Sequence, residues 1–262
     1  MARIVVFDSG LGSLSVIKPI QKQMKCNIIY FADSKNFPYG KKPIKEIRNI
    51  TSQTISILQN LFEPELIVVG SNTLSLTMDS YPKNILPVLP PLNEAKRITK
   101  SKSIAILATE SIVKSNLLDN YVKLFKTNNI KIIKINASLL VELVENGKFY
   151  SNPKLCKDII KKTLNSKFIH NNVDVATLSS THLPFLLEFL EDIFPHVKFL
   201  DPSESLAKKL KQKYLGHNNK RNSLQIFTSG NIKLLEKKLR HMGIKNKISN
   251  LTIESNINIE SL

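Results

Sequence analysis

Residues 3–24 read RIVVFDSGLGSLSVIKPIQKQM. Ile4 to Phe7 is an unbroken apolar run, mostly β-branched, which marks a strand buried on both faces. Asp8-Ser9-Gly10-Leu11-Gly12-Ser13 reads as a turn, and from Leu14 to Met24 the apolar residues recur at helical spacing. Strand, glycine-rich turn and helix form the opening of a βαβ unit, in which the next strand runs parallel to the first.

The remainder repeats the pattern. Strands are predicted at Asn27 to Phe31, Leu66 to Val69, Ser103 to Leu107, Ile130 to Ile135, Val173 to Leu178, Val197 to Leu200 and Leu224 to Phe227. Helical periods cover Ile44 to Leu61, Ser138 to Glu145, Leu155 to Leu164, Leu183 to Leu190, Ser203 to Tyr214 and Ile232 to Met242. Such alternation predicts an α/β fold with mostly parallel sheet, covered by helices on both faces. Pro87, Pro90 and Pro91 interrupt the series a third of the way along, and Asp201 and Pro202 interrupt it again. Two α/β units of similar size fit these breaks. The tail from Lys245 is polar and Asn-rich, with no period that predicts an ordered element.

The chain has 262 residues, 42% hydrophobic and 23% charged, an ordinary balance for a soluble globular protein. No apolar run approaches the ~20 residues of a membrane span, and Met1 to Phe7 lacks the pattern of a signal peptide. A cytoplasmic protein without membrane attachment is the expectation. The net charge of +17 raises nucleic acid as a partner. Only Arg3, Arg48, Arg97, Arg221 and Arg240 are arginines, however, and the lysines are spread over most helices. That distribution reads chiefly as a solvated surface. The cysteines, Cys26 and Cys156, have no neighbouring Cys or His at ligand spacing, so neither a metal nor a disulfide is expected.

Ligands of open α/β sheets bind beyond the carboxyl ends of strands. Those ends carry Asp8-Ser9, then Asp33 with Pro38-Tyr39-Gly40, Ser71-Asn72-Thr73, Thr109-Glu110 and Ser180-Thr181-His182. Hydroxyls, an amide and a carboxylate suit a small zwitterion: amides and hydroxyls hold carboxylates, and Asp8 faces an ammonium. Each has a plainer alternative. Asp8 and Ser9 serve equally well as helix caps, and His182 as a hydrogen-bonded structural histidine. The glycine turn lacks the third glycine of a dinucleotide fingerprint, since Ser15 stands there.

Val6-Phe7-Asp8-Ser9-Gly10-Leu11-Gly12, Tyr30-Phe31-Ala32-Asp33 and Pro38-Tyr39-Gly40 resemble the glutamate racemase family of the aspartate/glutamate racemase superfamily. So do Asn72-Thr73, Leu107-Ala108-Thr109, Val144-Glu145, Thr181-His182-Leu183-Pro184 and Thr228-Ser229-Gly230, in order along nearly the whole chain. The resemblance implies two α/β domains related by a pseudo-twofold, residues 1–93 with 203–262 and residues 94–202, and a cleft between them. It implies racemisation of glutamate, or of aspartate, without cofactor or metal by two cysteines on opposite faces of the substrate, as a homodimer supplying D-glutamate for peptidoglycan. Asp8 and Ser9 would meet the ammonium and assist the first base. Pro38, Tyr39 and Gly40 would contact the substrate, and Asn72, Thr73, Thr109 and Thr181 would bind its carboxylates. His182, with Glu145, would assist the second base.

Where the family pattern has Ala-Cys-Asn-Thr, this chain has Gly70-Ser71-Asn72-Thr73; where it has Gly-Cys-Thr-His, this chain has Ser179-Ser180-Thr181-His182. A thiol, with a reference pKa of about 8.5, is readily brought to thiolate, whereas a serine alkoxide is scarcely populated. Racemisation is therefore expected to be absent or very weak, and a pseudoenzyme that binds an acidic amino acid or regulates a partner is the alternative. The serines are either engineered or natural. Departures at Ser13 (for glycine), Gly70, Ser179, Pro90 and Ile112 (for threonine at the pocket rim) favour divergence.

Overall fold

The computed structural model describes residues 2–125, 129–214 and 220–252. Its strands are β1 (Arg3–Asp8), β2 (Asn27–Ala32), β3 (Leu66–Val69), β4 (Ile85–Pro87), β5 (Ser103–Ala108), β6 (Lys131–Asn136), β7 (Val175–Leu178), β8 (Lys198–Leu200), β9 (Ser223–Thr228) and β10 (Ile248–Asn250). They form two sheets, β10-β9-β2-β1-β3-β4 and β6-β5-β7-β8. Every pairing in both is parallel.

One pattern is used twice. In β2-β1-β3-β4 and in β6-β5-β7-β8 the first strand is central, the second lies to one side and the next two to the other. Chain direction across the sheet therefore reverses between β1 and β3, and again between β5 and β7. Such switch points open a crevice at the strand carboxyl ends. The register levels those ends: Phe7 pairs with Val69, and Leu107 with Leu178.

Strand periodicity divides the first core. Ile4, Val6, Ile28 and Tyr30 pack beneath helices Ser13–Gln23, Pro202–Lys213 and Ile232–His241. Val5, Phe7, Ile29 and Phe31 face helix Ile44–Phe62 through Ile47 and Leu58. The second sheet is likewise covered, with Phe168, Leu164 and Leu190 on one face and Leu92, Ile112 and Leu118 on the other. The expected boundary after residue 93 falls inside helix Leu92–Ile98, whose Leu92 and Ala95 pack on the second sheet.

Eight strands coincide with sequence expectation to within two residues at either end. Two were not expected. β4 follows a proline-bearing loop and ends at Pro87, and β10 lies in the tail from Lys245, where only Ile248 of its three residues is buried. The helix expected over Leu183 to Leu190 is a 3₁₀ turn, Leu183–Leu186, followed by helix Leu187–Ile193. Residues 253–262 of the tail lie outside the described residues. No helix among the described residues is long and apolar enough to cross a membrane.

Candidate active site

Both switch points open on a single cavity of about 160 Å³ between the sheets. Ser9, Asp8, Pro38, Tyr39, Gly40, Ser71, Asn72, Thr73, Thr109, Ser180, Thr181 and His182 all line it. Of the expected site residues only Glu145 does not; it sits directly behind His182. Larger hollows lie beside Arg48 and Asp79 and beside Arg97 and Tyr121; the buried hydroxyls of the first, Thr51 and Thr77, are spent on the carbonyls of Ile47 and Leu74.

Asp8, 2% exposed, ends β1. It does not cap the next helix, whose N-cap is Gly12 with no side-chain bond. Instead Oδ1 accepts from Ser9 N at 2.7 Å and Oδ2 from Thr181 Oγ1 at 3.1 Å, which joins the ends of β1 and β7. Burial lifts its pKa to about 6, against the opposing pull of His182, Ser9 N–H and Thr181. Asp8 is thus a carboxylate that changes charge near neutrality.

His182 Nε2 donates to Glu145 Oε1 at 2.7 Å. The same oxygen accepts from Leu11 N at 2.7 Å, and Oε2 accepts from Lys238 Nζ at 2.6 Å. Burial alone would raise the Glu145 pKa, but the His182 hydrogen bond and charge, then Lys238, outweigh it and hold it at about 2. Burial pushes His182 down; its bond to Glu145 and the charges of Glu145 and Asp8 outweigh that and leave it above its ordinary value. His182 is both alternatives at once, a bonded histidine and a wall of the cavity. Gly12 permits this crowding. A methyl group there would stand 2.3 Å from Thr181 Oγ1, 2.6 Å from Asp8 Oδ2 and 2.9 Å from His182 Cε1.

Across the cleft Thr73 Oγ1 and Thr109 Oγ1 are 3.0 Å apart, one from each switch point. Asn72 Nδ2 donates to Val88 O at 2.9 Å, while its buried Oδ1 has no partner among the described residues. Tyr39 turns its hydroxyl away from the cavity to Asp33 Oδ2, at 2.7 Å. Asn36 Nδ2 and Ser229 Oγ also donate to Asp33, so this buried carboxylate braces the loop that carries Pro38 to Gly40.

The two serines are the chemically quiet members. Ser71 Oγ caps helix Asn72–Thr77, accepting from Leu74 N at 3.5 Å. Ser180 Oγ makes no hydrogen bond among the described residues, although each serine is only 6% exposed and lines the cavity. The chain's thiols lie elsewhere: Cys26 and Cys156 are buried outside the cavity, and burial lifts Cys26 to about 11. Among the described residues no group of three His, Cys, Asp or Glu could hold a metal ion.

The chain that carries this site has counterparts in sequence and in fold. A glutamate racemase of Clostridium botulinum is 32% identical over 247 residues, spanning 88% of this chain and 93% of that one. The chain belongs to the glutamate racemase family. A glutamate racemase isoform of Bacillus anthracis superposes with a TM-score of 0.83 over 97% of this chain and 98% of its own, at 22% identity. The Escherichia coli glutamate racemase in complex with L-glutamate gives a TM-score of 0.80 over 96% and 98%, at 24% identity. No protein-family model matches the chain.

One family expectation is corrected. Ile112, expected at the pocket rim, is 1% exposed and packs with Leu76, Ile106 and Leu118, outside the cavity lining. Its side chain takes nothing from the pocket. Lys41, Glu142 and Lys238 were not expected. Lys41 follows Pro38-Tyr39-Gly40 directly, and Glu142 lies one helical turn before Glu145, so both had a sequence signal. Lys238 had none.

Proposed function

We propose that this chain keeps the ligand-binding half of the family's function, for an acidic amino acid, and lacks the proton-transfer half. Asp8 and Ser9 take the ammonium, while Asn72, Thr73, Thr109 and Thr181 take the carboxylates beside the His182–Glu145 pair. A single observation carries the second half: neither serine hydroxyl in the cavity is bonded to a base. Serine gains reactivity when a neighbour removes its proton, and abstraction of an α-proton needs a base populated in its charged form. The other expectations, a cytoplasmic homodimer without cofactor and a place in D-glutamate supply for peptidoglycan, follow from the family resemblance and stand as part of this proposal.

The test pairs two measurements on one sample. Glutamate or aspartate at millimolar concentration raises the melting temperature by mass action, while the α-proton signal of either enantiomer persists in deuterated buffer. Loss of that signal above a heat-denatured control would restore catalysis to the chain. No melting shift with any acidic amino acid would remove the binding reading.

A further inference from the structure

An ion pair spans the mouth of the cavity. Lys41 Nζ lies 3.2 Å from Glu142 Oε1. Lys41 ends the 3₁₀ turn Tyr39–Lys41 beyond β2, in the first unit, and Glu142 lies in helix Ser138–Glu145 beyond β6, in the second. Both line the cavity, and among the described residues Lys41 is the only lysine or arginine that does. Their side chains are 67% and 47% exposed, so they stand at the opening, whereas Asp8 and His182 are buried at the floor. The turn is pressed against the second unit: a methyl on Gly40 would stand 2.9 Å from Thr109 Cβ. Lys41 is therefore carried at the rim by a packed backbone. The nearby Glu110 is paired with Lys114 and also feels the charge of Lys41.

The shape of an amino acid assigns a use to this cation. Ammonium and α-carboxylate share one carbon, so a ligand with its ammonium on Asp8 holds its α-carboxylate deep as well. Its side chain extends toward the mouth. Glutamate brings a second carboxylate there and glutamine an uncharged amide. An ion pair as exposed as Lys41–Glu142 is close in free energy to its separated, hydrated partners. Exchanging Glu142 for a ligand carboxylate therefore costs little, and the charge-assisted bond so formed adds to the hold of the deeper groups.

We propose that Lys41 is a specificity-determining residue that leaves Glu142 and adds a charge-assisted bond from the mouth to the side-chain carboxylate that the amide and hydroxyls of the cavity also hold, selecting dicarboxylic amino acids over their amides. The proposal rests on the acidic-amino-acid reading above and adds the residue that makes the selection.

Calorimetric titration of both enantiomers of glutamate and glutamine into the wild-type chain, Lys41→Met, Lys41→Arg and Glu142→Gln tests it. Lys41→Met is expected to weaken glutamate about fivefold and leave glutamine within about twofold, with Lys41→Arg near wild type. Glu142→Gln, which removes the competing carboxylate, is expected to tighten glutamate about twofold. An unchanged glutamate-to-glutamine ratio in a folded Lys41→Met protein overturns this inference and leaves acidic-amino-acid binding intact. Absence of binding by every amino acid to the wild-type chain overturns both.

Discussion

A methyl group on Gly70 would stand 2.3 Å from the hydroxyl oxygen of Ser13 and 3.0 Å from Phe7 O. The Ser13 hydroxyl fills the space that a side chain at 70 would occupy, and it is buried without a partner among the described residues. The resemblance gives relatives alanine at 70 and glycine at 13, so the extra atoms have changed sides of one contact. This exchange lies one residue from Ser71 and has no bearing on silencing it, which argues for divergence. Gly70→Ala alone should cost about 1–3 kcal/mol as an overpacked site. Ser13→Gly should be tolerated, and Gly70→Ala with Ser13→Gly should recover most of the loss. Urea unfolding of the four proteins checks the coupling; additive effects would show that the two residues act independently.

The sequence made the long strands legible because Ile4 to Phe7, Leu66 to Val69 and Ile104 to Leu107 are apolar throughout, as strands buried on both faces must be. β4 and β10 escaped because each is a three-residue edge strand with a single buried residue, whereas the equally short β8 buries both Phe199 and Leu200. The cavity wall was legible for a topological reason: carboxyl ends of central strands converge, so the residues after β1, β3, β5 and β7 had to meet. What could not be read was the support behind it. Lys238 reaches Glu145 across 93 residues of sequence, and a lysine in an amphipathic helix rich in lysine carries no mark of a buried partner. Ile112 was misplaced for the converse reason, since position in a motif does not say which way a side chain points.

Ligand affinity should follow a bell in pH. Asp8 must be ionised to hold an ammonium, and its pKa lies at about 6, so binding strengthens as pH rises from 5 to about 7. His182, raised above its usual value, offers a cation to a carboxylate until pH passes that raised pKa, after which binding weakens. Asp8→Asn should remove the acidic limb and reduce affinity throughout, whereas His182→Gln should remove the alkaline limb. Titration calorimetry at pH 5 to 9 checks this; a pH-independent affinity in the wild-type chain would exclude ammonium capture by Asp8.

Asp8 and Glu145 should act on stability in opposite directions. The folded-state pKa of Asp8 is raised from 3.8, so its contribution is greatest below 3.8 and is lost as pH rises through about 6. That of Glu145 is lowered from 4.5 to about 2, so its stabilisation is present above 4.5 and is lost as pH falls toward 2. Glu145→Gln leaves His182 and Lys238 without their shared acceptor and should cost about 3–5 kcal/mol at neutral pH, as broken buried pairs do. Much of the acid-induced loss should vanish in that variant. Lys238→Met should cost less, because the side chain is 28% exposed and Glu145 keeps His182 and Leu11 N. Thermal melts across pH 3 to 8 separate the two; equal losses would mean that Lys238, and not the His182 contact, dominates.

Returning thiols one at a time should separate the two faces of the substrate. Ser180 stands two residues before His182, whose ring is bonded to Glu145, whereas Ser71 caps a helix and has no histidine beside it in sequence. A thiol at one position can remove and return a proton on one face only. Ser180→Cys should therefore exchange the α-proton of a single enantiomer of glutamate in deuterated buffer, without interconverting the two. Ser71→Cys should do the same for the opposite enantiomer, and more slowly, since no imidazole is bonded nearby. The double variant should exchange both and racemise, because the proton removed on one face is replaced from the other. Proton NMR for exchange and chiral separation for interconversion read these outcomes apart. Exchange of both enantiomers by either single variant would show that the cavity does not hold its ligand between two opposed positions, and the assignment of Ser71 and Ser180 to opposite faces would fall.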